Sequence, residues 1–281
     1  MDGLQNNPRV SVITVCYNAV SVIEETIRSV VSQTYGNLEY IVVDGASTDG
    51  TVPLIEKYLD RINVFITEKD RGIYDAMNKG IAASTGEWII FRNAGDPFVD
   101  ESVLERVFDH PISDDVVILY GDCIYRNDWG YCRKKPALVC PGYRGGMPVL
   151  HASAFVRGDI QRKMPFDTSF RSSADYDFMK RCVDNGLKFR YIDIPVACFE
   201  LGGFASRNYV TTFTEDCYIE KRSKAYILAG RFFCFAKVSM IRFLSWLGIY
   251  ESLDRKRKVR QGWNTFENDN YKAEKKRDGG F

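Results

Sequence analysis

The chain has 281 residues, 45% hydrophobic and 27% charged, with a net charge of +1, which suits one large α/β domain plus an appendage and gives no sign of a nucleic-acid partner. The neutrality is a sum of unlike parts: from Cys217 onward 15 Lys and Arg stand against 7 Asp and Glu, a balance of +8, while the first 216 residues carry 23 against 30, or −7. None of the eight cysteines forms a Cys-x-x-Cys pair, which removes the main support for zinc-ribbon and thioredoxin readings.

The elements alternate from the start. Residues 10–15 form a short β-branched run and read as a buried strand. Residues 21–33 read as a helix, with Ile23, Ile27, Val30 and Val31 at helical spacing. A strand over 38–44, a helix over 51–59, a strand over 64–67, a helix over 74–83 and a strand over 88–92 follow. Such alternation with short links predicts a Rossmann-like, mostly parallel sheet with helices on both faces. Further on, 116–120 reads as a strand, 121–136 as a hairpin, 149–156 as a strand, 174–185 as a helix and 189–194 as a strand. From Tyr218 the pattern is helical to about Arg260, and the charged segment 267–281 reads as a disordered tail. These readings divide the chain into an α/β domain over 1–216, a helical appendage over 217–262 and a tail over 263–281.

In open α/β sheets ligands bind beyond the carboxyl ends of the strands, and here all four early strands end in polar turns. They are Tyr17-Asn18, then Asp44 to Gly50, then Glu68-Lys69-Asp70-Arg71-Gly72, then Asn93-Ala94-Gly95-Asp96. Each alone is ordinary turn chemistry; four on one rim argue for a polar ligand. The first turn lacks the Gly-x-Gly-x-x-Gly of dinucleotide enzymes. Gly45 and Gly50 have P-loop spacing, but Thr51 stands where Lys is required. What remains is acidic. Carboxylates can meet ribose hydroxyls, a base N–H, or a divalent cation bridging to phosphates.

The segments VSVITVCYNA, YIVVDGASTDGT and KDRGIYDAMNKGIAASTGEWIIFRNAGD together resemble the family 2 glycosyltransferases, which have the GT-A fold. The resemblance is strong over roughly 8–100 and weaker to about 204, and it implies a catalytic domain over 1–216 with a nucleotide half at about 8–100 and an acceptor half at about 101–216. It implies a nucleotide-sugar donor, with Tyr17 packing on the base and Asp44 hydrogen-bonding it. Val15, Ser47 and Ala94 belong to the same nucleotide-binding set. The turn of Asp70, Arg71 and Gly72, with Asp75 and Lys79 behind it, would shape the pocket, and Asn93 would bond a ribose hydroxyl. Many members carry two or three aspartates after the fourth strand, whereas this chain keeps one, Asp96. Asp96 is the implied ligand of Mn²⁺ or Mg²⁺, with the diphosphate supplying other oxygens. His151, one of only two histidines, is carried as a second metal candidate beside the plainer reading of a structural histidine.

The family places its catalytic base at a helix start, and Ser173-Ala174-Asp175-Tyr176-Asp177 fits, with Asp175 at the base position. Asp177 lies about 200° round the helix and cannot share its face. The resemblance implies inverting transfer to a saccharide or lipid-linked hydroxyl, of the kind that builds bacterial surface polysaccharide or glycolipid. Gly202 to Arg207 resembles a nucleotide-covering loop. Residues 225–250 are aromatic and aliphatic but interrupted by Arg231, Lys237 and Arg242, too charged to span a bilayer. The helix there either packs on protein, in cis or across a homodimer, or docks on an anionic membrane. The N-terminus lacks a signal-peptide pattern and the thiols look reduced, so the expected compartment is cytoplasmic, peripheral to the membrane's inner face if the tail docks. A nucleotidyltransferase of related architecture and a non-catalytic nucleotide-sugar-binding subunit are the alternatives.

Overall fold

The computed structural model describes residues 7–127, 130–136, 139, 146–200, 208–261 and 263–265. Its nucleotide half runs β1 (Val10–Cys16), α1 (Ile23–Val31), β2 (Leu38–Asp44), α2 (Thr51–Glu56), β3 (Val64–Thr67), α3 (Ile73–Ala83) and β4 (Trp88–Phe91). Then come α4 (Val103–Phe108), β5 (Val116–Asn127), β6 (Gly130–Lys134), β7 (Ala154–Arg157), α5 (Gly158–Lys163), α6 (Ala174–Asp184) and β8 (Lys188–Glu200). The chain closes with α7 (Tyr209–Ile219), α8 (Lys224–Trp246), α9 (Tyr250–Arg260) and the short β9 (Asn264–Thr265).

Among the described residues nine strands join one sheet in the order β3-β2-β1-β4-β7-β5-β6-β9, with β8 pairing with β5 off that path. The first four strands pair in parallel, as their helical crossovers require. Beyond β4 the sheet is mixed: β7 pairs antiparallel with β4 and β5, the β5–β6 hairpin is antiparallel, and β8 is parallel to β5. The reversal between β1–β2–β3 and β4 opens a crevice at the carboxyl ends, where a ligand can sit.

Burial explains the early elements. β1 is inaccessible on both faces along its whole length, so alternation gives way to a continuous apolar run. α1 buries Ile23, Thr26, Ile27 and Val30 on one face and leaves Glu24 and Arg28 outside. On the other side of the sheet, α3 approaches so closely that a Cβ on Gly80 would lie 2.5 Å from the Ile13 side chain. Each fully buried Ile or Val here contributes about 1.5–3 kcal/mol relative to exposure.

Several boundaries differ from the sequence reading. Residues 149–156 do not form one strand: His151–Ser153 make a 3₁₀ turn and the strand starts at Ala154. The Ser153 amide (2.9 Å) and hydroxyl (3.0 Å) both donate to the Leu150 carbonyl, a local bond that competes with the ladder. β5 continues through Gly121 because β8 runs beside it from Val116 to Arg126. α4 and α5 carried no assignment, and the position taken as a domain boundary, 216, falls within α7. The segment 267–281 and the loop 202–207 lie outside the described residues. The seven described cysteines are buried.

Candidate functional site

Beyond the carboxyl ends of β1, β2, β3 and β4 lies a cleft of about 1030 Å³, at the upper limit of ordinary small-molecule sites. Its walls hold Val15, Tyr17, Asp70, Arg71, Gly72, Asp75, Asn93 and Ala94. Eight of the sequence candidates therefore share one cavity, although they come from three separate turns. The remaining wall is a surprise: Thr168 to Arg171, from the loop before α6, faces the strand ends.

The Tyr17 ring is 68% exposed, an unusual position for a large apolar surface and a suitable one for stacking on a planar ligand. Behind it the backbone is held in left-handed conformations at Asn18 (φ 48°) and Ala46 (φ 62°). Local bonds lock them: the Asn18 amide donates to Ser47 Oγ at 2.8 Å, and the Thr48 amide donates to Asn18 Oδ1 at 2.9 Å. Strain of this kind persists only where surrounding contacts over-determine it, and it clusters at ligand sites.

Asp44 is fully buried. Its carboxylate accepts from the Ser47 amide (2.9 Å), the Ser47 hydroxyl (2.5 Å) and the Thr67 hydroxyl (3.0 Å), joining the β2 and β3 turns. Asp44, Ser47 and Lys79 stand behind the cleft wall. Lys79 Nζ lies 2.5 Å from Asp70, 2.8 Å from Glu68 and 3.9 Å from Asp75, while Arg71 meets Asp75 at 2.7 Å. Hydrogen bonding from Arg71, with Lys79 nearby, holds the Asp75 carboxyl below its ordinary range. Gly72, at φ 138°, supplies the positive-φ turn that leads from this cluster into α3. Burial pushes the Cys16 thiol up, so a cleft-facing cysteine offers no thiolate.

The end of β4 is different. Among the described residues Asn93 Oδ1 is buried and finds no donor, an acceptor that a ligand hydroxyl or cation would satisfy. Arg92, fully buried, donates from Nε to the Phe91 carbonyl (2.7 Å) and lies 4.7 Å over the Phe98 ring, but Nη1 and Nη2 have no hydrogen-bond partner among the described residues. Burial lowers its guanidinium to about 10 and Asp96 opposes that, so it stays charged at neutral pH beside the Asp96 carboxylate. Asp96 itself is partly buried in the turn, its amide donating to the Asn93 carbonyl (2.9 Å). Asp96 is not among the residues that line the cleft, although Asn93 in the same turn is; its carboxylate is the hard-oxygen ligand type that Mg²⁺ and Mn²⁺ take. Among the described residues no three His, Cys, Asp or Glu side chains gather as a metal cage.

His151 is buried, with Phe91 at 4.8 Å and Phe166 at 5.5 Å between ring centroids. Burial lowers its basicity, and Asp175 and Arg92 act on it in opposite directions.

Asp175 opens α6, and its Oδ1 accepts from the Tyr74 hydroxyl at 2.9 Å. Tyr74 lines the cleft from α3, so this bond ties the carboxylate directly to the cleft wall. Asp177 instead pairs with Arg181 at 2.8 Å, as the helical angle predicts. Glu215 of α7 holds the turn that leads into α6: its carboxylate accepts from the amides of Arg171 (2.8 Å), Ser172 (2.9 Å) and Ser173 (3.0 Å). Glu215, Tyr74 and the 168–171 loop were missed in the sequence reading. Tyr74 had a signal, an aromatic one residue inside a helix that begins at the rim. Glu215, some 40 residues away, had none.

Residues 11–158, more than half of the chain, match the family model described as Glycosyl transferase family 2. A PGL/p-HBAD biosynthesis glycosyltransferase of Mycobacterium bovis is 31% identical over 212 residues, covering 71% of this chain and 80% of that protein. The fold resembles S. aureus TarS 1-349 in complex with UDP-GlcNAc (TM-score 0.59, 17% identity, 84% of this chain and 73% of that one). Against TarS 1-349 without a stated ligand the alignment spans 65% of that chain. It also resembles the mannosyltransferase PcManGT from Pyrobaculum calidifontis in complex with GDP-Man and Mn²⁺ (TM-score 0.59, 18% identity, 90% and 80%). A sheet with polar strand ends, a cleft across them and this sequence match lead to one conclusion: the chain belongs to glycosyl transferase family 2 and has the GT-A fold of those glycosyltransferases.

Proposed function

We propose that the chain transfers a sugar, with inversion, from a nucleotide-diphosphate sugar to a hydroxyl of a saccharide or lipid-linked acceptor, with a UDP-sugar as the first donor to test. The acceptor lies in polysaccharide or glycolipid assembly on the cytoplasmic side. The observation that carries the reading is the Tyr74–Asp175 bond, which sets one carboxylate against a nucleotide-sized cleft. Support for the donor comes from the exposed Tyr17 ring and from UDP-GlcNAc and GDP-Man in related folds.

A hydroxyl is a weak nucleophile, and a positioned carboxylate that takes its proton as the new bond forms accelerates attack by about 10²–10⁴. Asp175 fills that role, oriented by Tyr74. Tyr17 packs on the base, and Asp44 with Ser47 shapes the turn that meets it. Val15, Asn93 and Ala94 border the ribose, and Asp70, Arg71, Gly72, Asp75 and Lys79 fix the opposite wall. Asp96, with Asn93 beside it, would hold a divalent cation, which when bound supplies positive charge to the leaving diphosphate. His151, buried near Asp175, is the second candidate ligand for that cation.

The test is a thermal-shift screen of UDP-, GDP- and dTDP-sugars with and without Mn²⁺, followed by product analysis with the donor that stabilises. Specific donor binding raises Tm by mass action, and an inverted glycoside with release of nucleoside diphosphate is the expected product. Release of pyrophosphate from a nucleoside triphosphate, or binding without turnover over any acceptor class, would overturn the reading.

A further inference from the structure

α8 is a helix of 23 residues, about 35 Å long, and it shows the wrong face to water. Ile227 and Cys234 are buried, and Gly230 sits so close to Phe213 of α7 that a Cβ there would lie 2.1 Å from its ring. That narrow seam holds the helix to the protein. On the other side Leu228, Phe232, Phe233, Phe235, Phe243 and Trp246 are all more than half exposed, Phe232 at 77% and Trp246 at 79%. At about 100° per residue these six fall in an arc of roughly 160°, in which Ser239 is the one polar interruption.

The charges lie along the borders of that arc. Lys224, Arg231 and Arg242 fall within about 20° of one another at one edge, and Lys237 lies beyond the other, over the Tyr209 ring at 4.7 Å. No Asp or Glu occurs between Lys224 and Trp246. α9 adds Arg255, Lys256, Arg257, Lys258 and Arg260, where Asp254 pairs with Arg257 and Lys258. No described helix is long and apolar enough to cross a membrane.

We infer that α8 lies in the plane of an anionic lipid surface, with Phe232, Phe235 and Trp246 in the headgroup–acyl boundary and the flanking cations on lipid phosphates. A broad apolar face edged by Lys and Arg is the pattern of an interfacial helix, and long cationic side chains at such edges bury their stems while their charges reach the headgroups. A two-fold homodimer through the same face would set α8 against itself, bringing cations together with no acidic residue on the helix to pair them. Charge complementarity therefore selects a lipid surface over a second copy. The inference stands apart from sugar transfer, because vesicle binding is measured with no donor present.

The test uses the full chain in flotation with vesicles of phosphatidylcholine alone and of equal parts phosphatidylcholine and phosphatidylglycerol. Binding to the anionic vesicles is expected, weakening as salt rises past about 0.15 M. Trp246 emission should shift to the blue and be quenched by brominated lipid; Trp88 and Trp263 are already buried. The double variant Phe232→Ser, Trp246→Ser should lose at least about tenfold in partitioning, and Arg231→Glu, Arg242→Glu a comparable factor, both with unchanged Tm because these side chains are exposed. A chain that sediments as a dimer and ignores the vesicles would overturn the inference and assign the face to a second copy. A monomer that ignores them would overturn it too, as would equal binding to uncharged vesicles.

Discussion

The carboxylates on the β2 and β3 side of the cleft and those around α6 keep different company. Asp44, Asp70 and Asp75 are bound into the chain: Asp44 accepts from Ser47 and Thr67, Asp70 meets Lys79, and Asp75 meets Arg71 and Lys79. Around α6 the balance is acidic. Asp175 meets a phenol rather than a cation, and Asp216 of α7 lies near Asp175, Glu215 and Glu220. Carboxylates held by several donors at once build a rigid wall, and one bonded to a cleft-lining phenol stands where it can meet an acceptor hydroxyl. On the first side structure and function should fail together; on the second they should separate.

Asp175→Asn is the sharpest way to break that distinction. It keeps size and one hydrogen-bond acceptor for Tyr74 but removes basicity, so transfer should slow by about 10²–10⁴ while donor binding and Tm hold. Asp177→Asn, which loses only the Arg181 pair, is the control. Should Asp177→Asn stop transfer and Asp175→Asn leave it intact, the base lies two positions further on. Asp96→Ala comes next. Removing a group that stabilises developing charge costs about 10²–10³ in rate, and the variant should lose its response to Mn²⁺ in steady-state assays. A folded variant that titrates with Mn²⁺ like the parent would exclude Asp96 as the metal residue.

Asp44→Ala probes the opposite side and should show both penalties. The buried donors of Ser47 and Thr67 lose their acceptor, at a cost of about 1–3 kcal/mol in stability. Nucleotide affinity should fall roughly tenfold or more in titrations. A loss of affinity with no change in Tm would place Asp44 among the ligand contacts rather than the scaffold. The smallest effect belongs to Asp216. Burial first, then its acidic neighbours, raise its carboxyl to about 6. The folded chain therefore holds more protons than the unfolded one between about pH 4 and 6, and stability declines as pH rises through that window. Asp216→Asn should flatten that decline in a Tm-versus-pH series. An unchanged slope would show that Asp216 ionises alike in both states.

The sequence by itself determined the β/α alternation of the first hundred residues, because the strands are short runs rich in Val, Ile and aromatic residues and the helices between them carry an apolar stripe. It located the rim for the same reason, since strand ends in a parallel sheet share one side. Residues such as Tyr17, Asp70, Asn93 and Ala94 could then be placed together without coordinates. It fixed too the divergence of Asp175 and Asp177, which follows from helical angle alone. Only the tertiary structure decided what crosses between distant segments. Tyr74 reaches Asp175 across 101 positions, Glu215 holds a turn some 40 residues before it, and 168–171 lines the far side of the cleft. The local bond at Ser153 defeated a strand that composition favoured. The buried face of α8 was likewise decided by the fit of Gly230 against Phe213. Such pairings depend on which surfaces meet, and a one-dimensional pattern carries periodicity and turn chemistry but no record of its distant neighbours.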